Sequence, residues 1–148
     1  MARQIKTPVR LWNYVDEGLA QRGIIKPEEI RTVELEEAVV DTASTRLVLT
    51  QELVRQLGLT LGRPVTVRYA DHRTATKPVA RGVVVEIMER TGTFDAFVEE
   101  RGQPLIGIEI LEALDLWPDP QRGVLTTNPE SPDIPLFNLF GIKPCQFP

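Results

Sequence analysis

Turn-forming residues break this chain about every ten residues, and that spacing limits what it can fold into. The runs between the breaks are short, and most have the two-residue period of strands. Residues 8–14 place Val9 and Leu11 on one face. Residues 32–40 alternate Val33 and Leu35 with glutamates, then run apolar through Ala38, Val39 and Val40. Residues 64–69, 79–88, 94–98 and 104–107 read as further strands, with turns at 70–74 and 89–92. Leu116-Trp117 and Val124-Leu125 flank the turn Asp119-Pro120-Gln121-Arg122-Gly123 as a hairpin. Two short helices are predicted. Thr50 caps residues 51–57, which Gly58 ends. Residues 108–114 carry apolar side chains at 108, 110, 111 and 114. Residues 16–22 have room for one more helical turn. The expected fold is mostly β and barrel-like.

With 148 residues, the chain suits a single domain, 1–148, large enough to bury a core without a disulfide or metal staple. The pattern divides it into an N-terminal strand segment (1–31), a core of about 32–118 and a proline-rich apolar tail (127–148). A net charge of −4 makes it a poor phosphate-backbone binder, so no nucleic-acid partner is expected. No run approaches the roughly 20 apolar residues of a membrane span. Basic residues near the start are not followed by an apolar run, so no secretory signal is read and a cytoplasmic protein is expected. The one cysteine, Cys145, cannot form an internal disulfide or by itself a zinc site. The one histidine, His72, has no evident nucleophile partner. The tail residues Ile134, Leu136, Phe137, Leu139, Phe140 and Phe147 predict packing onto the domain or a partner.

The segment best suited to chemistry is Val39-Val40-Asp41-Thr42-Ala43-Ser44-Thr45. An apolar strand delivers one acid into a loop of small and hydroxyl residues. Small neighbours let backbone N–H groups and hydroxyls reach a carboxylate and hold it fixed and ionised. The same residues also suit a plain Asx turn at a strand end. Other acids are weaker candidates. Glu34, Glu36 and Glu37 read as a solvated face, and Glu99-Glu100-Arg101-Gly102 as a loop charge cluster. Trp12 and Trp117 read as core or interface anchors.

Taken together, these features resemble the retropepsin-like (clan AA) aspartic proteases, whose motif is two hydrophobic residues, Asp, Thr or Ser, Gly, then Ala or Ser. Val39-Val40-Asp41-Thr42-Ala43-Ser44 follows that pattern. Some thirty residues on, the turn Ala70-Asp71-His72-Arg73 stands where the family has a hairpin flap. Leu105-Ile106-Gly107 then matches its hydrophobic-hydrophobic-Gly before a helix. The resemblance covers residues 32 to 118. It is nearest to small bacterial and cyanobacterial aspartyl-protease-like proteins, which share the character of residues 111–116 and the Asp119-Pro120 turn. There are two departures. Ala43 replaces the family glycine, and Gly107-Ile108-Glu109 lacks the arginine that braces the retroviral dimer.

The resemblance implies an acid-protease half-barrel that closes its active site as a twofold homodimer. It implies an aspartic-type endopeptidase acting on an extended peptide without metal or other cofactor. Asp41 would be catalytic, and Thr42, Ala43, Ser44 and Thr45 would support its loop. Ala70, Asp71, His72 and Arg73 would cover the substrate. In this family's chemistry a base activates water and an acid protonates the leaving group, and two carboxylates sharing one proton supply both roles. No second Asp-Thr-Gly-like element occurs, since Asp16-Glu17-Gly18 lacks the hydroxyl and Asp71-His72 and Asp95-Ala96 do not fit. Two alternatives stay open. One is a retropepsin-like peptide-binding or dimerisation module with weakened or absent catalysis, and the other is a barrel adaptor unrelated to proteases.

Overall fold

The computed structural model describes residues 4–139. Strand β1 (Ile5–Asn13) has a two-residue burial rhythm: Ile5, Thr7, Val9, Leu11 and Asn13 are buried, and Lys6, Pro8 and Arg10 are exposed. It pairs antiparallel with β2 (Thr32–Val40) along one edge and with β7 (Val79–Ile87) along the other. Those two pairings close the order β1-β2-β9-β3-β8-β7 into a six-stranded barrel, where β3 is Leu47–Thr50, β8 Arg90–Glu99 and β9 Leu105–Ile106. The short β4 (Thr60–Leu61) extends β7 beyond a bulge at Arg81 and Gly82. The N-terminal segment is thus an integral wall of the barrel. Inside it, Leu11, Leu47, Leu49, Val83, Val85, Ile87 and Ile106 are fully buried.

Three α-helices occur where the sequence predicts two. Helix α1 (Tyr14–Gln21) begins at Tyr14, where a continuing strand was expected, because the Asn13 side chain caps it by accepting from the Asp16 N–H. Asn13 also donates to the Leu57 carbonyl at 2.8 Å. Asp16 is buried against Arg31, whose guanidinium holds its carboxyl below the ordinary range. Helix α2 (Gln51–Leu57) has the predicted ends, with Thr50 as N-cap and Gly58 in the left-handed region. Helix α3 (Ile108–Leu114) buries Ile110, Leu111 and Leu114.

Two hairpins stand outside the barrel. One is β5 (Val65–Arg68) with β6 (Thr74–Lys77), and the other is β10 (Leu116–Asp119) with β11 (Val124–Thr127). The turn expected at 89–92 lies instead at Met88 and Glu89, both with positive φ, and Arg90 to Gly92 belong to β8. Two positive-φ residues match the twist that a two-residue hairpin loop requires. Gly92 serves packing rather than turning. A Cβ there would lie 2.8 Å from the Phe94 ring and 3.3 Å from Leu114.

The buried Arg90 holds the C-terminal part of the described chain. It donates to the carbonyls of Leu114, Asp115 and Ser131. Asp115, at the end of α3, accepts from the Asn128 amide, the Ser131 hydroxyl and the Leu136 N–H. Along and after that anchored segment, Ile134, Phe137 and Leu139 are exposed on this chain at 74%, 59% and 82%. Phe140, Cys145 and Phe147 lie outside the described residues. Trp117 is 49% exposed, so it is not a core anchor.

Candidate active site

Asp41 leaves β2 at one end of the barrel. The chain crosses over through residues 42–46 and returns as β3, while β9 runs between the two strands, parallel to β2 and antiparallel to β3. This threading brings the two sequence motifs together. The Asp41 N–H donates to the Ile106 carbonyl at 3.0 Å, Ile108 N–H to Ser44 at 2.8 Å, and Glu109 N–H to Thr45 at 2.9 Å. Gly107 is forced by space. A Cβ there would stand 2.3 Å from the Arg46 carbonyl oxygen and 2.7 Å from that of Ser44. Backbone atoms cannot give way as a flexible side chain can. Leu105-Ile106-Gly107 therefore forms the floor on which the Asp41 loop rests.

On that floor the Asp41 carboxylate is held at both oxygens. Oδ1 accepts from the Ala43 N–H at 3.0 Å, and Oδ2 accepts from the Ser44 hydroxyl at 2.9 Å. The first of these bonds is an Asx turn, so the two sequence readings of this segment share one geometry. Asp41 and Ser44 are partly covered, and Thr42, Ala43 and Thr45 are exposed. Ala43 is not among the residues with positive φ. Its methyl group therefore fits the loop without backbone strain.

Ala70, Asp71, His72 and Arg73 form the tip of the β5–β6 hairpin. The His72 N–H donates to the Tyr69 carbonyl at 2.9 Å and the Tyr69 N–H to Arg73 at 2.8 Å, with His72 at φ 68°. This is a three-residue hairpin loop closed by a left-handed residue. Asp71 pairs with Arg73 at 2.5 Å, and both are exposed. Among the described residues no hydrogen bond joins this tip to the Asp41 loop. The hairpin is tied instead to Glu99, whose carboxylate accepts from Tyr69 and pairs with Lys77. Glu99 ends β8, so it does not belong to a loop cluster. A second missed pair, Arg46 with Glu109 at 3.6 Å, flanks the floor. The groove between α3, β10 and residues 136–138, about 370 Å³, is not lined by Asp41.

No family model matches the sequence, and no curated protein matches it. Among solved structures the chain is similar to EIAV protease complexed with the inhibitor HBY-793. The TM-score is 0.52 at 16% identity, covering 76% of this chain and 88% of that one. At that identity the likeness concerns the fold, which is retropepsin-like. Among the described residues no helix is long and apolar enough to cross a membrane.

Proposed function

We propose that the chain is an aspartic-type endopeptidase working as a twofold homodimer, with Asp41 of each copy forming the catalytic pair. The observation that carries this reading is the held carboxylate. Asp41 is fixed by the Ala43 N–H and the Ser44 hydroxyl, on a rigid floor, and is still partly open to solvent. A carboxylate accepts up to about four hydrogen bonds, so two bonds from its own loop leave room for a water and a neighbour. Two such carboxylates meeting on an axis share one proton, because like charges so close cannot both ionise. The ionised one takes a proton from the attacking water, and the protonated one donates to the substrate. Thr42 braces the two loops across the axis. Ala43 offers its backbone to an extended peptide, and residues 70–73 close over it. The exposed Ile134, Phe137 and Leu139 supply apolar surface for the second copy.

One observation favours a second reading, a peptide-binding or dimerisation module. Both bonds to the Asp41 carboxylate are local, an Asx turn to Ala43 and a hydroxyl bond from Ser44, as a purely structural loop would also make. Asp41→Asn separates the two. The amide keeps the Ala43 bond and can donate to Ser44, so the fold and melting temperature are retained. Cleavage of a peptide library falls roughly 10²–10⁴-fold. Cleavage unchanged in the variant, or absent in both proteins, rejects the catalytic assignment.

A further inference from the structure

The Tyr69–Lys77–Glu99 contact has a use that the hairpin's covering role does not specify. In β5–β6, Val65 pairs with Lys77, Val67 with Ala75 and Arg68 with Thr74. Alternation puts Val67, Ala75 and Lys77 on one face and Thr66, Arg68, Thr74 and Thr76 on the other. Tyr69 continues the first face. Burial agrees over most of that face: Val67, Tyr69, Ala75 and Lys77 are partly covered, Val65 opposite Lys77 is exposed, and Thr66, Arg68, Thr74 and Thr76 on the other face are all exposed. The covered face therefore looks toward the body of the molecule.

Glu99 meets that face. One carboxylate oxygen accepts from the Tyr69 hydroxyl at 2.8 Å, and the other lies 3.0 Å from the Lys77 ammonium. Tyr69 adjoins the hairpin tip and Lys77 is at its base, so one acid grips both ends of the hairpin. Glu99 is itself anchored. It is the last residue of β8 and pairs in register with Thr50 of β3, the strand into which the Asp41 loop leads. Side-chain exposures of 20% for Lys77 and 29% for Glu99 shield the pair from screening better than a fully solvated surface pair. Arg73 lies over the Tyr69 ring, 5.9 Å from its centroid.

We infer that Glu99 is a positioning residue that latches the β5–β6 hairpin through Tyr69 and Lys77 and so sets how easily an extended peptide enters and leaves. The kinetic part rests on the peptidase reading, and the mechanical part does not. The test therefore reads both, on the full chain. Hydrogen exchange is followed at the amides of residues 65–77 in wild type, Glu99→Ala, Tyr69→Phe and the double variant. In Glu99→Ala these amides exchange roughly five- to tenfold faster, while those of β7 and β8 keep their protection. Tyr69→Phe gives a smaller effect that nearly vanishes when Glu99 is already gone. On a peptide substrate, Glu99→Ala raises KM several-fold with kcat little changed, and Glu99→Gln, which still accepts from Tyr69, restores part of the loss. Hairpin exchange identical to wild type in both single variants overturns the latch. Tyr69→Phe, which loses only one hydroxyl, decides the matter if Glu99→Ala does not fold. A protein with no activity but faster hairpin exchange keeps the latch and rejects the peptidase.

Discussion

Asp41 and Asp115 are each held by a neighbouring serine hydroxyl and a backbone N–H, yet the fold treats them differently. Asp115 is buried, accepts from Asn128, Ser131 and the Leu136 N–H, and has the Arg90 guanidinium 3.8 Å away. Asp41 is partly exposed, its carboxylate is bonded only within its own loop, and among the described residues no cation pairs with it. Burial with a cation and partners from distant segments makes Asp115 a fastening for residues 128–136. A carboxylate fixed in place but with accepting capacity left over can meet water and a second acid. Similar donor types therefore give a structural acid where α3 ends and a candidate catalytic one in the loop that meets the start of α3.

The contrast breaks most severely at Arg90. Arg90→Met would leave the carbonyls of Leu114, Asp115 and Ser131 without this donor and Asp115 without its cation. A cost of about 3–5 kcal/mol is expected, as for other buried ion pairs that lose one partner, and urea denaturation reads it directly. Activity per folded molecule should survive, because Arg90 has no part in holding Asp41.

Acid should act on the same corner. The Ser131 hydroxyl, then the Leu136 N–H, then the Asn128 amide hold the Asp115 carboxyl below its ordinary value. A depressed folded-state value means the contribution is complete above the unfolded value of about 3.9 and is lost as pH falls through the lower, folded one. Stability should therefore decline below about pH 4, and Ser131→Ala should show a shallower decline. Equal slopes in the two proteins would remove Asp115 from the acid response.

The smallest effect belongs to the loop of Asp41. Ala43→Gly should cost about 0.5–1 kcal/mol through unfolded-state entropy, because Ala43 has no strain to relieve. If the methyl crowds the substrate, turnover rises; equal turnover means the loop accommodates it.

These regions also differ in how far the sequence reveals them. The apolar run ending at Asp41, the small residues after it and the glycine at 107 are local signals, and they lead to the observed loop and floor. The ends of α2 are equally local, being set by Thr50 and Gly58. Arg90 is not legible because a charged residue within Glu89-Arg90-Thr91-Gly92 reads as part of a solvated turn. The partners that bury it are 24 to 41 positions away. The turn at Met88 and Glu89 carries no residue that favours positive φ, so Gly92 drew the prediction to itself. Glu99 read as one charge of a loop cluster, since its partners lie across an intervening hairpin and strand.

The central claim is that one Asp41 is half of a site. Wild type and Asp41→Asn chains can be co-refolded at equal amounts and fixed total concentration, and peptide cleavage then measured. If each site needs an aspartate from both copies, random pairing leaves roughly one quarter of dimers competent and activity falls to about a quarter of the all-wild-type value. Activity of about one half would mean that each chain works with its own Asp41 alone, and would contradict the shared site.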